Sequence, residues 1–203
     1  MKAGPPPREL AWSEVAWSED RLVRECCAGN QAAWSALIEK YKNLIFSIPI
    51  KFGLSREDAA DVFQAVCADL VAGLPRLREP KALPKWLIQT AFHQCLRWKK
   101  DRLVLMEDVD EMDRQPDPKS ETLPEDMLHQ LQKEQSVREA IVSLPPRCWR
   151  IVQMLFFEGS ARPYQEIAKE LGIATGSIGF IRGRCLKKLR QALEKGGFQG
   201  GFQ

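Results

Sequence analysis

The 203-residue sequence contains little histidine, no CxxC motif and no long apolar run. Its two histidines, His93 and His129, are not at a metal-ligand spacing from each other, so metal catalysis has few candidate ligands, and we expect neither a metal nor a cofactor. Five of the six cysteines lie inside or beside helix-like apolar patterns. We therefore predict buried thiols rather than disulfides or zinc ligands.

The absence of a continuous stretch of about 18 apolar residues argues against a membrane-spanning helix. Residues 1–10 contain Pro5, Pro6 and Pro7 and lack the apolar segment of a secretory signal. From these two observations we expect a cytoplasmic protein.

The net charge of +3 conceals three blocks of opposite sign. Residues 28–100 carry 11 Lys and Arg against 6 Asp and Glu, residues 101–134 carry 4 against 11, and residues 137–195 carry 11 against 5. Two basic modules and an acidic connector fit a partner with extended negative charge, such as a nucleic acid. Three ordinary solvated surfaces would also account for the pattern.

Strand-like alternation is scarce, whereas helical periodicity recurs along the chain. Ser18, Asn30 and Ser55 each precede such a period and are typical N-cap residues. Pro49 and Gly53 should kink or end the second helix. Further helices are predicted from about Pro84 to Lys100, from about Leu131, after Pro145, from Tyr164 and up to Leu193. The sequence thus predicts an all-α fold.

The apolar positions of the predicted helices define the expected core. In the second helix they are Ala33, Leu37, Tyr41, Leu44, Ile45 and Ile48. In the third they are Ala59, Val62, Val66 and Leu70. In the fourth they are Trp86, Leu87, Ala91 and Leu96.

Composition divides the chain into two helical domains and three connecting or terminal segments. Residues 18–100 and 136–195 form the predicted domains, and the acidic, proline-containing segment 101–135 is the predicted linker. Residues 1–17, which include most of the duplication AWSEVAWSE, and the Gly-rich tail 196–203 are expected to be mobile.

The segment from Tyr164 to Leu193 has the spacing of a helix-turn-helix. Ala168 is small where two helices would cross, Gly172 follows where a tight turn needs positive φ, and Ile178 is a core anchor. At 100° per residue, Ile181, Cys185, Leu189 and Ala192 fall near Ile178, whereas Gly179, Gly183, Lys187 and Arg190 fall on the opposite side.

Glycines on an outer helix face need an explanation, because each costs roughly 0.5–1 kcal/mol relative to Ala. A bare, basic surface suits close approach of the backbone to a polyanion. A nucleotide-binding loop is a poor alternative, since GIATGSIG lacks both glycine-loop motifs and follows a helix. Helix packing through the G-x-x-x-G at Gly179 and Gly183 remains an open alternative.

These motifs resemble a known family. SLPPRCWRIVQMLFFEG and YQEIAKELGIATGSIGFIRGRCLKKLRQAL resemble the promoter-binding C-terminal domain of sigma factors of the sigma-70 family, specifically the extracytoplasmic-function class. EDAADVFQAVCADL resembles the family's polymerase-binding helix, and LPKWLIQTAFHQCLRWKKDR resembles the helix that recognises and melts the −10 element. The resemblance spans residues from about 20 to 193.

The resemblance implies a non-enzymatic initiation factor whose partners are RNA polymerase core, through the β′ clamp helices and the β subunit, and promoter DNA. Its polymerase-binding residues would be Asp58, Asp61 and Gln64. Its −10 residues would be Trp86, His93, Arg97, Trp98, Lys99 and Lys100. Its −35 residues would be Thr175, Gly176, Ser177, Gly179, Phe180, Gly183, Arg184 and Lys187.

Departures from the family pattern limit what can be carried over. His93 and Arg97 replace the Asn and Asp of many members, and Gly179, Phe180 and Ile181 replace commoner basic and hydroxyl residues. The family's −10 contacts therefore do not transfer to this chain, and the sequence does not specify a base preference at the −35 element. Trp98 fits either stacking on single-stranded DNA or packing in the core.

Members of this class are often held inactive by an anti-sigma factor, and nothing in the sequence identifies one. Two other functions would also use parts of this pattern. A helix-turn-helix regulator with a helical sensing or dimerisation domain would bind DNA without polymerase. An enzyme acting on nucleic acid would need clustered carboxylates or His and Cys ligands, and the acidic stretch 107–126 has no helical or strand framing to present them.

Overall fold

A computed structural model describes residues 17–106, 123–158 and 162–198. These residues form helices and turns without a β-strand, which confirms the predicted all-α fold. The helices are α1 (Glu19–Cys27), α2 (Gln31–Lys51), α3 (Arg56–Gly73), α4 (Leu83–Met106), α5 (Glu125–Val142), α6 (Pro146–Phe156), α7 (Tyr164–Leu171) and α8 (Ile178–Lys195). The described part of the chain contains no helix long and apolar enough to cross a membrane.

The chain divides into two compact units, and the division falls between Gln132 and Lys133 within α5. Residues 1–16, 107–122, 159–161 and 199–203 lie outside the described residues. These ranges include most of the predicted N-terminal extension, much of the predicted linker, a short stretch after α6 and the end of the tail.

The N-terminal unit begins each of its first three helices with the predicted cap. Ser18 accepts a hydrogen bond from the Arg21 amide, and Asn30 accepts from the amides of Ala32 and Ala33. Ser55 accepts from the Asp58 amide. Each cap satisfies backbone donors that have no partner inside the helix, which fixes where the helix starts.

The core of the N-terminal unit consists of the apolar faces of α1 to α4 and the first turns of α5. All the predicted core positions of α2 and α3 are buried. In α4 the prediction is partly wrong, because Trp86 and Leu96 are only half-buried. The buried stripe of α4 consists instead of Leu83, Leu87, Ile88, Ala91, Phe92 and Cys95.

Several predicted helix ends also differ from the structure. Pro49 does not end α2, which runs to Lys51 and stops before Gly53, where φ is +78°. The fourth helix continues six residues past Lys100 to Met106, and α5 begins at Glu125 rather than near Leu131. Pro49 is tolerated in the last turn of α2 because it removes only one intrahelical hydrogen bond.

The C-terminal unit contains the predicted helix-turn-helix. Gly172 ends α7 with φ of +62° and ψ of 39°, the left-handed conformation that glycine adopts without a Cβ penalty. Ala168 and Ile178 lie in one buried cluster with Met154 and Ile167. The prediction of the turn and its core anchor is therefore confirmed.

A disulfide between Cys148 on α6 and Cys185 on α8 corrects the prediction of buried thiols. The two residues are 37 positions apart in sequence, yet the packing of α6 on α8 brings their Cα atoms to 5.1 Å. That separation lies within the range a disulfide spans. Cys26, Cys27, Cys67 and Cys95 are free, and burial raises the pKa of both Cys26 and Cys95 to about 11.

Candidate nucleic-acid and protein interfaces

The acidic residues at the start of α3 have two different roles. The Asp58 carboxylate accepts a hydrogen bond from the Ser55 hydroxyl (2.6 Å), and its other oxygen lies 3.4 Å from Arg102 Nη1 on α4. Its side chain is 22% exposed. Asp58 therefore supports the Ser55 cap of α3 and links α3 to α4, so both of its carboxylate oxygens already have a partner within the chain.

Asp61 and Gln64, in contrast, are exposed and have no hydrogen bond or ion pair within the described residues. Val71, two turns further along α3, is 61% exposed. These three side chains lie within ~80° of one another around the helix and form what we call the α3 edge. An acidic, an amide and an apolar group in one row offer a protein partner both polar and apolar contacts.

A groove between α3 and α4 gathers three of the residues predicted to contact the −10 element. Trp86, His93 and Arg97 line it from α4. Their spacing of seven and four residues keeps them on one side of the helix, and Lys100 continues that side by three more positions. The groove combines an indole, an imidazole and guanidinium groups, the side-chain types that contact unstacked bases and phosphates.

The remaining two predicted −10 residues lie elsewhere on α4. Trp98 is half-buried against the core, with the Arg102 guanidinium 5.0 Å from its ring centroid. Lys99 Nζ lies 5.5 Å from the ring centroid of Phe52. Trp98 therefore packs in part against the core, and its stacking on single-stranded DNA stays a prediction.

Sequence reasoning missed the groove residues that tertiary packing supplies. Asp69 and Arg76 come from α3 and the 3₁₀ turn that follows it, and Thr90 and Gln94 come from α4. The Gln94 amide nitrogen donates to Asp69 Oδ2 over 2.6 Å, which leaves the amide oxygen as an oriented acceptor. The available sequence signal was the i, i+4 register of Thr90 and Gln94 with Trp86.

Gly73, the last residue of α3, leaves the space that the Trp86 indole occupies. A Cβ added at Gly73 would lie 2.7 Å from Cζ2 of Trp86, which is closer than two non-bonded carbon atoms approach each other. Its φ of −92° is accessible to any residue, so the glycine is required by the indole and not by the backbone. Gly73 thereby fixes where Trp86 lies in the groove.

Gly73→Ala is accordingly expected to displace the indole and lower the free energy of unfolding by about 1–3 kcal/mol, as overpacking does elsewhere. Chemical denaturation of the full chain measures this. The control is the same substitution in a Trp86→Ala background, where the penalty should vanish because the clashing ring is gone. An equal penalty in both backgrounds would show that the indole is not what Gly73 accommodates.

In the C-terminal unit, all the predicted −35 residues are exposed. Thr175, Gly176 and Ser177 form a 3₁₀ turn before α8, and Gly179, Phe180, Gly183, Arg184 and Lys187 follow on α8. Added Cβ atoms at the three glycines would meet nothing within 4 Å, and none of the three has positive φ. Neither packing within the described residues nor backbone conformation therefore requires these glycines.

An ion-pair network holds α7 against α6. Arg150 on α6 donates to Glu158 (2.7 Å) and to Glu170 on α7, while Arg162 lies 2.8 Å from Glu170 and 2.9 Å from Glu158. The hydrogen bond from Arg150 is the main cause that lowers the pKa of Glu170 below its usual value. The network links the end of α6 to α7 at the surface, beside the buried cluster of Met154, Ile167 and Ala168 that packs these helices together.

A second polar contact joins α7 to α8. Arg182 Nη1 on α8 donates to the Tyr164 hydroxyl oxygen at 2.7 Å. Together with the cluster of Ala168 and Ile178, it fixes α8 against α7. These contacts hold α8 in one orientation against α7, with its outer face exposed to solvent.

Comparison with known proteins bears on these surfaces. The model for Sigma-70 region 2 matches residues 37–103, and the model for Sigma-70, region 4 matches residues 140–191. Together these ranges cover more than half of the chain. The chain belongs to the sigma-70 family. The RNA polymerase sigma-H factor of Pseudomonas aeruginosa is 24% identical over 184 residues, which cover 87% of this chain and 92% of that protein.

As a sigma-70 family member, the protein binds RNA polymerase core enzyme and promoter DNA and directs promoter recognition and transcription initiation. The α3 edge and the α3–α4 groove lie within the range matched by region 2, and the outer face of α8 lies within the range matched by region 4. The resemblance described from the sequence is therefore confirmed at the level of the family.

Proposed function

We propose that this sigma factor belongs to the extracytoplasmic-function class. Its three binding surfaces are the α3 edge, the α3–α4 groove and the outer face of α8. Residues 18–100 carry the surfaces that bind polymerase and the −10 element, and residues 136–195 carry the surface that binds the −35 element. The acidic segment 101–135, whose residues 125–132 begin α5 within the N-terminal unit, links these surfaces and follows the RNA path of the polymerase. The protein acts by binding, without catalysis, in the cytoplasm where the polymerase transcribes.

The observation that carries this proposal is the separation of two nucleic-acid surfaces into two units with their own cores. The groove offers Trp86, His93 and Arg97, a chemistry suited to single-stranded DNA. The outer face of α8 offers Arg184 and Lys187 on a helix-turn-helix, a geometry suited to the major groove of a duplex. A factor that opens one promoter element while holding another needs both.

The α3 edge is proposed to bind the β′ clamp helices, with Asp61 and Gln64 as the polar contacts. Asp58 contributes indirectly, since its carboxylate is engaged by Ser55 and Arg102. Anti-sigma factors of this class would compete for the same surfaces, and the β subunit is the proposed polymerase contact of the C-terminal unit.

Run-off transcription with purified core polymerase on a promoter library tests the function. A promoter-specific transcript that requires this chain is the expected result. Sequence-specific DNA binding in the absence of polymerase, with no stimulated transcription, would instead favour the helix-turn-helix regulator.

Asp61→Arg combined with Gln64→Ala is expected to weaken binding to core polymerase about tenfold, equivalent to about 1.4 kcal/mol. Because both side chains are exposed and unpaired within the described residues, the unfolding midpoint should not change. Asp20→Arg, an exposed site on α1, makes the same change in charge and is the matched control. Unaltered core affinity of the double variant would reject the α3 edge as the polymerase contact.

A further inference from the structure

Phe180 is the most exposed of the large apolar side chains described, at 71%. It is the third residue of α8 and lies ~160° around the helix from Ile178, which is fully buried. The phenyl ring therefore projects directly away from the core of the C-terminal unit. Among the described residues its side-chain neighbour is Arg184, whose guanidinium carbon lies 5.8 Å from the ring centroid.

The surroundings of Phe180 make the ring the most prominent feature of its helix turn. Gly179 precedes it and Gly183 follows three residues later, and both open onto empty space. Arg184 and Lys187 are exposed on the same outer face of α8. A basic helix surface that is bare except for one phenyl ring can bring its backbone close to DNA and extend the ring further than its neighbours.

The ring has no hydrogen-bond donor or acceptor, which limits what it can recognise on the base edges of a duplex. Base edges in the major groove present hydrogen-bond donors and acceptors with a single apolar group among them, the C5 methyl of thymine. Residues in the first turn of a recognition helix are those that reach the base edges. Phe180 lies in that turn.

We propose that Phe180 determines specificity at the −35 element by packing its ring on the C5 methyl group of a thymine. This inference rests on the proposed function, which puts α8 in the major groove of the −35 region. Arg184 lies one helical turn beyond Phe180, so its guanidinium contacts the DNA next to that thymine. The chain thereby replaces a hydrogen-bonding readout at this position with an apolar one.

The test removes one methyl group from the DNA and the ring from the protein, separately and together. Holoenzyme is bound to its preferred promoter, and each −35 thymine is replaced in turn by deoxyuridine, which keeps every hydrogen-bonding group. At one position the replacement is expected to weaken wild-type binding about fourfold, the effect of burying one methyl group. Phe180→Ala holoenzyme should bind the thymine promoter correspondingly less well and be indifferent to deoxyuridine there.

Two controls make the coupling specific. Phe156→Ala removes another exposed ring, 60% exposed on α6, and should leave the deoxyuridine effect intact. Phe180→Leu keeps an apolar group and should retain part of it. Because Phe180 is exposed, the variants are expected to fold normally, and their unfolding midpoints check this.

The outcomes separate this inference from the proposed function. If wild-type holoenzyme shows no promoter preference, the proposed function fails and the inference fails with it. If holoenzyme binds promoters specifically but no deoxyuridine effect depends on Phe180, only the inference is overturned. Equal transcription by wild type and Phe180→Ala would likewise overturn it and direct attention to a protein partner for the ring.

Discussion

Reduction of the disulfide between Cys148 and Cys185 is expected to lower the free energy of unfolding of the C-terminal unit by roughly 4 kcal/mol. The bond closes a loop between residues 37 positions apart, which restricts the unfolded chain more than the folded one. Two small buried clusters make up the core of this unit over the residues that the structure describes. Because small domains are marginally stable, a loss of this size is a large part of their total stability.

Native-state hydrogen exchange, followed on peptides from α6 and α8 of the full chain with and without reductant, measures this loss. Peptides from α2 and α3 should be unaffected, since the disulfide lies in the other unit. Cys148→Ser should reproduce the effect and make the chain insensitive to reductant. Cys27→Ser removes an exposed free thiol and should change nothing.

Thiol counting gives an independent check on the pairing. Alkylation of the native chain should label Cys27 readily, because it is exposed. Cys26 and Cys95 should react slowly, because burial raises the pKa of both thiols to about 11. Denaturation without reductant should expose four thiols, and reduction should expose the full six. Identical exchange in α6 and α8 with and without reductant would mean that packing alone holds these helices together.

The features that could be predicted from the sequence are those with local causes. Ser18, Asn30 and Ser55 cap their helices through contacts within three residues. Gly172 adopts positive φ because the turn between α7 and α8 requires it. The buried faces of α2 and α3 follow from the 3.6-residue period alone.

The errors at helix ends come from the interpretation of proline and acidic residues as signals that a helix ends or that a linker begins. Pro124 precedes α5, and its carbonyl accepts a hydrogen bond from the Leu128 amide at 3.0 Å. Glu125 and Asp126 then occupy the first turn, where carboxylates favour the helix dipole. The same residues that break one helix can begin the next, and spacing to the following apolar residues decides between the two.

The remaining features depend on contacts between distant residues. The Cys148–Cys185 bond and the hydrogen bond from Gln94 to Asp69 join different helices, and no local pattern encodes them. The division of the −10 candidates is similar, because Trp86 and Trp98 both pack against the same core but only Trp86 also lines the groove. Sequence could identify the helix that carries the site, but packing determines which of its faces remains free.

Gly183→Glu is expected to weaken binding of holoenzyme to the −35 element at least tenfold, or about 1.4 kcal/mol, without unfolding the protein. Gly183 lies on the outer face of α8 with open space around it, so a side chain fits without a clash. A carboxylate there would face the phosphate backbone at close range and repel it. Removal of the mid-helix glycine should raise the free energy of unfolding by roughly 0.5–1 kcal/mol.

Gly183→Ala distinguishes the effect of added charge from the effect of added volume on the outer face of α8. It should stabilise α8 to a similar extent while adding no charge, so any loss of −35 binding reports the steric cost of a single methyl group at the DNA surface. Val142→Glu adds the same charge to an exposed position on α5 and should leave −35 binding unchanged. If Gly183→Ala raises the free energy of unfolding and lowers −35 affinity, the glycine is required for binding to DNA although it destabilises the helix. Full affinity of Gly183→Glu would instead assign the bare face to a partner other than promoter DNA.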